Sequence, residues 1–517
     1  MDDIKILWAD DEMDLLKPHV MFLQGRNYEV VTVLSGDEAI EACKKQSFDI
    51  IFLDENMPGM TGLEALETIK NIDPGVPVVM VTKSEEENIM DEAIGGNIAD
   101  YLIKPVNPNQ MLLSIKKNVQ SREIRSRKVT SDYQSTFTQL SLEINDSMDW
   151  EDWMKVYEKL VFWELELDGT NNPMKEVLQM QQNEANHSFC KFISKNYVSW
   201  FTNRPEDKPM MSPDLFKDRI FPLLDKGEKV FLIVIDNLRY DQWRDIKTIL
   251  SEYYSFDSEE LYYSILPTAT QYARNAIFSG LMPEQIKKMF PDYWVDEDEE
   301  ESKNNYEDEL LGTQIERFRK KYTHSYNKIF DTAAGGKLVE QIPNLLHNDI
   351  NTIVLNFVDM LSHSRTESKT IRELASDEAA YRSLAISWFK HSSTIEIFKT
   401  LAEKNCKVIV TTDHGTIRVK NPIKVVGDRN TNTNLRYKVG KNLGYDRKEV
   451  FDINRPDQIA LPSINVSSKY IFAYYNDFFA YPNNYNHYVN YYRDTFQHGG
   501  ISMEEMIVPF VVMSPKK

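Results

Sequence analysis

The chain has 517 residues, which at about 150 residues per domain suggests about three domains, and its 42% apolar residues suffice for packed cores, so a small stapled peptide is excluded. Eighty Asp and Glu against 60 Lys and Arg leave a formal charge of -20, so most of the surface repels nucleic acid and anionic membrane and any phosphate ligand must be held locally. The three cysteines, Cys43, Cys190 and Cys406, fit no CxxC pattern; neither a disulfide framework nor a thiolate zinc site is indicated, and no apolar run approaches the ~18 residues of a membrane span. A soluble protein of the reducing cytoplasm is the expectation.

From Lys5 to about Lys117, short apolar runs (Ile4 to Ala9, Val30 to Leu34, Ile50 to Leu53, Val76 to Val81, Tyr101 to Ile103) alternate with amphipathic helical spacing. That pattern predicts a five-stranded parallel sheet covered by helices, an α/β domain over residues 1–120. Residues 121–205 carry no strand signal, but Trp150, Trp153, Val156, Tyr157, Leu160 and Trp163 recur at helical spacing, predicting a helical linker bundle. The proline-rich stretch Arg204 to Pro213 reads as a linker. Strand and helix alternation then resumes, with buried runs Val230 to Ile235, Ile353 to Val358 and Val408 to Thr411, predicting a larger α/β domain over 206–517. The acidic stretch Asp296 to Glu301 and the Asn, Lys and Arg-rich segment Lys420 to Lys448 read as inserted loops.

In the first domain, Asp10, Asp11, Asp54, Thr82 and Lys104 all fall at the carboxyl ends of predicted parallel strands, the edge where such sheets build sites. Three converging carboxylates repel one another unless a hard cation sits among them, and an all-oxygen set suits Mg²⁺. Such a cation would neutralise a phosphoryl group approaching Asp54, with Lys104 and Thr82 as its further partners. The motifs ILWADDE, LDENMPGMTG and YLIKP make this stretch resemble the receiver domain of bacterial two-component response regulators. The resemblance implies that a sensor histidine kinase phosphorylates Asp54, that Asp10, Asp11 and Asp54 bind Mg²⁺ with the Asn56 carbonyl, that Thr82 and Tyr101 are switch residues with Lys104 beside the phosphate, and that Lys104–Pro105 is cis.

The remaining residues are too many, too acidic and too strand-rich for a helix-turn-helix output. Asp236 follows VFLIVI, Asp359 follows TIVLNFV, and Asp413 follows KVIVTT; His363 lies four residues after Asp359, His414 adjoins Asp413, and His498 precedes two glycines. Imidazoles and carboxylates without thiolates form a catalytic rather than a structural zinc inventory, sufficient for two ions. Thr270 of PTAT, between a predicted strand Leu261 to Leu266 and an amphipathic stretch, would sit at or near a helix N-terminus, where backbone N–H groups favour an oxyanion. Zinc coordination would make its otherwise weak hydroxyl nucleophilic.

These residues resemble the alkaline phosphatase superfamily, and with the receiver the chain is similar to PglZ-domain response regulators of the PorX type, which act in type IX secretion control. The resemblance implies one zinc on Asp359, His363 and His498 and another on Asp236, Thr270, Asp413 and His414, with Thr270 as nucleophile forming a phosphothreonine intermediate. It implies a zinc-dependent phosphodiesterase acting on nucleotide or oligonucleotide substrates, and a phosphorylation-dependent homodimer. The alternatives are a phosphomonoesterase and a non-catalytic scaffold holding a sigma factor. Arg274, four residues after Thr270, and Arg436 and Lys438 in the basic segment are the candidate substrate contacts. Aromatic and basic residues there, and the tyrosines from Tyr470 to Tyr492, suit stacked bases or core packing.

Overall fold

The computed structural model describes residues 4–73, 75–83, 98–145, 147–168, 174–202, 208–297, 299, 302–367, 372, 374–375, 377–428, 431–463 and 467–516, without the side chains of 120–127 and 364–367. Two compact units meet between Asp132 and Tyr133, inside the helix Ser121–Glu143. Most of the stretch predicted as a separate helical segment therefore packs in one unit with the larger sheet.

In the first unit, β1 (Lys5–Ala9), β2 (Glu29–Val33), β3 (Ile50–Asp54), β4 (Val78–Thr82) and β5 (Asp100–Ile103) form a parallel sheet in the order β2-β1-β3-β4-β5. Alternation divides the strands between two cores: Leu7, Ile51, Leu53 and Met80 pack on one face against Ala65, Leu66 and Ile69, while Trp8, Ile50, Phe52 and Val79 pack on the other against Leu23, Met111 and Ile115. Burial on both faces explains why these strands read as unbroken apolar runs. The helix Gly62–Ile72 begins in a capping box of Thr61 and Glu64. A Cβ on Gly62 would lie 2.4 Å from the Asp54 carbonyl oxygen, so glycine lets the helix start close against the end of β3.

The second unit centres on six strands: β6 (Val230–Ile235), β7 (Tyr254–Tyr263), β8 (His324–Ile329), β9 (Ile350–Leu355), β10 (Lys407–Thr411) and, last in the chain, β18 (Ile507–Pro515), in the order β7-β18-β10-β6-β9-β8. β10, β6, β9 and β8 run parallel, and β18 is antiparallel to both its neighbours. Between β10 and β18 the chain builds three small sheets: β11 (Ile417–Arg418) with β17 (Phe496–Gln497), β12 (Asn421–Lys424) with β16 (Asp477–Ala480), and β13 (Tyr437–Gly440) and β14 (Val450–Ile453) on either side of β15 (Lys469–Ala473). The segment read as a basic loop thus contains strands. The helices Trp150–Asp168 and Met174–Asn196 join the large sheet through aromatic contacts, with Trp153 5.5 Å from Phe189 and Phe189 6.2 Å from Tyr263.

Three boundaries differ from the sequence reading. The run TIVLNFV is split: β9 ends at Leu355 and a helix Phe357–Glu367 begins, so Asp359 stands in a first helical turn rather than at a strand end. β7 ends at Tyr263, leaving Ser264 to Ala269 as the loop into the helix Thr270–Ser279. Of the expected linker, 204–207 lie outside the described residues, while Met211 and Ser212 are buried and Ser212 Oγ accepts from Ile265 N at 3.2 Å. Among the described residues no helix is long and apolar enough to cross a membrane.

Candidate metal and phosphoryl-transfer sites

The parallel register of the first unit brings Asp10, Asp11 and Asp54 to one sheet edge, with their ligand atoms within 4.8 Å of one another. Lys104, just after β5, reaches back to Asp10 Oδ2 at 2.7 Å and Asp54 Oδ2 at 2.8 Å. Burial raises the Asp54 pKa, and Asp10 adds to the rise while Lys104 opposes it. Burial works against the charge on Lys104, but its hydrogen bonds to Asp10 and Asp54 prevail and its pKa is raised. Thr82 is fully buried at the end of β4, and the half-buried Tyr101 makes a hydrogen bond with it. Asn56 is exposed two residues beyond β3, and Lys104–Pro105 is cis. This pocket of carboxylates fits a hard divalent cation beside Asp54.

In the second unit, β6 pairs with β10 on one side and β9 on the other, so the segments leaving their carboxyl ends converge. Two groups of ligand atoms form there, each within 4.8 Å: Asp236 with Asp413 and His414, and Asp359 with His363 and His498. Thr270, the first residue of its helix, stands against the first group, its Oγ1 3.3 Å from Asp236 Oδ1 and 3.1 Å from His414 Nε2. The two groups adjoin, for the rings of His414 and His498 stack with centroids 4.3 Å apart. His414 Nδ1 lies 3.1 Å from Gly415 O and His498 Nδ1 3.1 Å from Thr268 O, contacts that leave each Nε2 to face the site.

The electrostatics favour cations. Burial, reinforced by Asp236, pushes the Asp413 carboxyl up to about 8, and burial with the neighbouring His414 pushes His498 down to about 4. Asp413 Oδ2 is buried without a hydrogen bond, an orphan that a bound cation would satisfy. Six carboxylate and imidazole donors without a thiolate match catalytic zinc, so the residues fit two such ions.

Arg274, Arg436 and Lys438, expected to contact substrate, are packed inside. Arg274 is 1% exposed and its guanidinium meets Asp236 at 2.6 Å and Glu307 at 2.5 Å, so it buttresses a candidate ligand. Burial is the largest influence on the Asp236 carboxyl and raises its pKa, but the attractions of Arg274, His414 and His498 together prevail and hold it below the usual value. Arg436 is wholly buried against Glu505, at 3.1 and 2.6 Å. Lys438 is buried, donates to Asn432 O at 2.7 Å, and is pushed down to about 7 by burial.

Sequence reasoning missed Asn237 and Thr268. Asn237 has φ 64°, a left-handed conformation that asparagine tolerates, and its backbone N–H donates to Asp413 Oδ1 at 3.2 Å while its amide donates to Asp359 Oδ1 at 3.2 Å. One residue thus ties the two groups together. Thr268 Oγ1 donates to Gly500 O at 2.9 Å and accepts from Gly499 N at 3.0 Å, fixing the loop that carries His498. The acidic stretch also reaches the site: Glu297 accepts from the Tyr437 hydroxyl at 2.6 Å, although Asp298, Glu300 and Glu301 lie outside the described residues, as does Arg429 of the basic segment.

A strand-edge pocket that fits a divalent cation and a hydroxyl against one of two adjoining ligand groups define a phosphatase-like protein, and the chain belongs to the PglZ alkaline phosphatase-like family: the family model of the BREX system PglZ alkaline phosphatase-like domain matches residues 215–513, more than half of the chain. It is a response regulator, for the response regulator receiver domain matches residues 6–116 and the PorX response regulator linker domain matches 123–201.

Similar curated proteins include the transcriptional regulatory protein ResD of Bacillus subtilis, 32% identical over 115 residues, which are 22% of this chain and 48% of ResD. The transcriptional regulatory protein ZraR of Escherichia coli K12 is 32% identical over 116 residues, 22% of this chain and 26% of ZraR. The chain thus spans between a quarter and a half of the length of these relatives. Similar solved structures include a CheY-like receiver domain from Methanospirillum hungatei, 27% identical with a TM-score of 0.23, covering 24% of this chain and 98% of that one. The chemotaxis protein CheY4 of Vibrio cholerae is 30% identical with a TM-score of 0.22, covering 22% and 98%.

Proposed function

We propose that this chain is a response regulator in which phosphorylation of Asp54 by a sensor histidine kinase controls a two-zinc phosphodiesterase whose nucleophile is Thr270. The observation that carries the reading is the position of Thr270 Oγ1, 3.3 Å from Asp236 and 3.1 Å from His414, beside a second ligand group of Asp359, His363 and His498. In this reading the receiver spans 1–120, the linker 121–205 and the effector 206–517. Asp10, Asp11 and Asp54 with the Asn56 carbonyl hold Mg²⁺, Lys104 meets the phosphoryl group, and Thr82 and Tyr101 pass the change on to a homodimer interface. The protein works in the cytoplasm, in the regulation of type IX secretion.

Zinc, when bound, supplies the positive charge that lowers the pKa of the threonine hydroxyl and neutralises the phosphate. The Thr270 oxygen, its proton released to solvent, would attack phosphorus in line as the P–O bond to the leaving alcohol breaks on the opposite side and that oxygen takes a proton from water. The first-turn N–H groups of the helix are available to the oxygens that gain charge. Asn304 donates to Thr270 O at 3.2 Å and to Asn275 Oδ1 at 3.3 Å, which fixes the start of that helix. Water then adds to phosphorus as the Thr270 Oγ1–P bond breaks, which releases a phosphomonoester and restores the threonine hydroxyl. A nucleotide or oligonucleotide phosphodiester is the substrate class that the amide and aromatic lining of the adjoining cavity, with Asn432, Asn434, Tyr491 and Tyr492, supports. The test is hydrolysis of short linear and cyclic oligonucleotides by the zinc-loaded chain, with and without beryllofluoride at Asp54. Turnover of these diesters above 4-nitrophenyl phosphate supports the proposal. Preference for the monoester would make it a phosphomonoesterase, and no turnover of either would leave a scaffold for a partner such as a sigma factor.

A further inference from the structure

The cavity beside Thr270 has a volume of about 690 Å³, far more than a phosphate group needs. Its wall includes Thr431, Asn432, Asn434, Tyr491, Tyr492 and Gln497. The two tyrosines end the helix Tyr485–Tyr492, which is anchored by the buried Val489 and carries aromatic rings at Tyr485, His487, Tyr488, Tyr491 and Tyr492. Rings one turn apart lie nearly parallel: Tyr488 and Tyr492 at 12° and His487 and Tyr491 at 19°, each pair with centroids 6.3 Å apart. Core packing does not explain this arrangement. Tyr488 is 39% exposed, His487 is exposed and Tyr491 and Tyr492 are half-buried, whereas Tyr470 of the same tyrosine-rich stretch is wholly inside. The aromatic faces therefore start in the cavity and continue out of it by one helical turn, about 5.4 Å. The Arg372 guanidinium carbon lies 5.5 Å from the centre of the Tyr491 ring.

We propose that the helix Tyr485–Tyr492 is the base-stacking platform of the active site: Tyr491 stacks on the base next to the scissile bond of a single-stranded oligonucleotide with Tyr492 edge-on beside it at 86°, and Tyr488 with His487, inclined at 71°, takes the following base in the same way. The proposal rests on the phosphodiesterase reading above and adds the residues that select the substrate. Stacking suits this protein, because a chain of net charge -20 has little long-range attraction for a polyanion and must gain affinity from contacts that do not depend on charge. A paired duplex would hide the base faces that the rings need.

The experiment compares kcat/KM of the zinc-loaded full chain on hexathymidylate with that on hexamers in which a tetrahydrofuran replaces one base at each position in turn. The wild type loses about tenfold or more when the base beside the cleaved bond is missing. In the Tyr491→Ala, Tyr492→Ala double variant that loss shrinks to less than threefold, while Tyr491→Phe, which keeps the ring and drops the hydroxyl, retains it. Tyr488→Ala, at an exposed position, weakens discrimination at the next base alone. Equal discrimination in wild type and double variant, or none in the wild type, overturns the platform while leaving the hydrolase intact. A wild type that cleaves none of the hexamers refutes the phosphodiesterase reading, and the platform with it.

Discussion

Replacing Arg436 by Met keeps the apolar stem and removes the charge that faces Glu505. Both side chains are wholly buried, with Nε to Oε1 at 3.1 Å and Nη2 to Oε2 at 2.6 Å. At about 3 Å and an effective dielectric constant of 20, the attraction is about 5 kcal/mol before desolvation is counted. Loss of one partner strands the other, which costs about 3–5 kcal/mol in buried pairs. The guanidinium also donates to Tyr474 O and Asp477 O, bonds worth about 1 kcal/mol each. The expectation is therefore a loss of about 3–5 kcal/mol in the second unit, of which adding Glu505→Gln recovers roughly 1–3 kcal/mol by removing the stranded charge. Urea unfolding of the full chain followed by tryptophan fluorescence measures this, because seven of the eight tryptophans lie beyond Asp132. A loss below about 1 kcal/mol together with a KM raised tenfold or more would show that Arg436 meets substrate rather than Glu505.

Glu504 carries a pH dependence: burial above all lifts its carboxyl from 4.5 to about 7, against the pull of Arg239. The folded state thus binds a proton that the unfolded state releases, and this contribution to stability is full below about pH 4.5 and lost as pH rises through about 7, roughly 3 kcal/mol in all. Glu504→Gln flattens that slope in pH-dependent urea unfolding, and parallel wild-type and variant profiles would contradict the assignment. Thr268→Val leaves Gly500 O and Gly499 N without their partner, for a loss of about 1–3 kcal/mol. By loosening the His498 loop it also lowers zinc affinity about 10–100-fold in chelator competition, whereas unchanged affinity would show that Thr268 does not position the loop.

The sequence made the sites more legible than the elements that carry them. Asp10, Asp54, Asp236 and Asp413 announce themselves because a polar residue closing a buried parallel strand has few places to be except the sheet edge. Asp359 was harder to place, since hydrophobicity runs unbroken from the strand through Phe357 and Val358 into the next helix. Its spacing to His363 survives the change, because residues four apart share a helix face. The basic residues misled for a different reason. Charge along the chain does not disclose that Arg436 will meet Glu505, 69 residues later, or that Arg274 will meet Glu307. The same holds for the tyrosines, where Tyr470 enters the core and Tyr488 does not, although the sequence around both is rich in aromatic and apolar residues.

In the proposed function, the Thr270 hydroxyl performs the chemistry between two zinc ions held by six other side chains. This role is tested most directly by turnover of bis(4-nitrophenyl) phosphate by the full chain and its Thr270→Val variant, each with bound zinc counted by elemental mass spectrometry. About two zinc ions per chain are expected in both proteins, with a rate in the variant at least about a thousandfold lower, the loss of a nucleophile rather than of a contact. Equal rates at equal zinc, or a wild type that takes up no zinc at micromolar supply, would contradict this role.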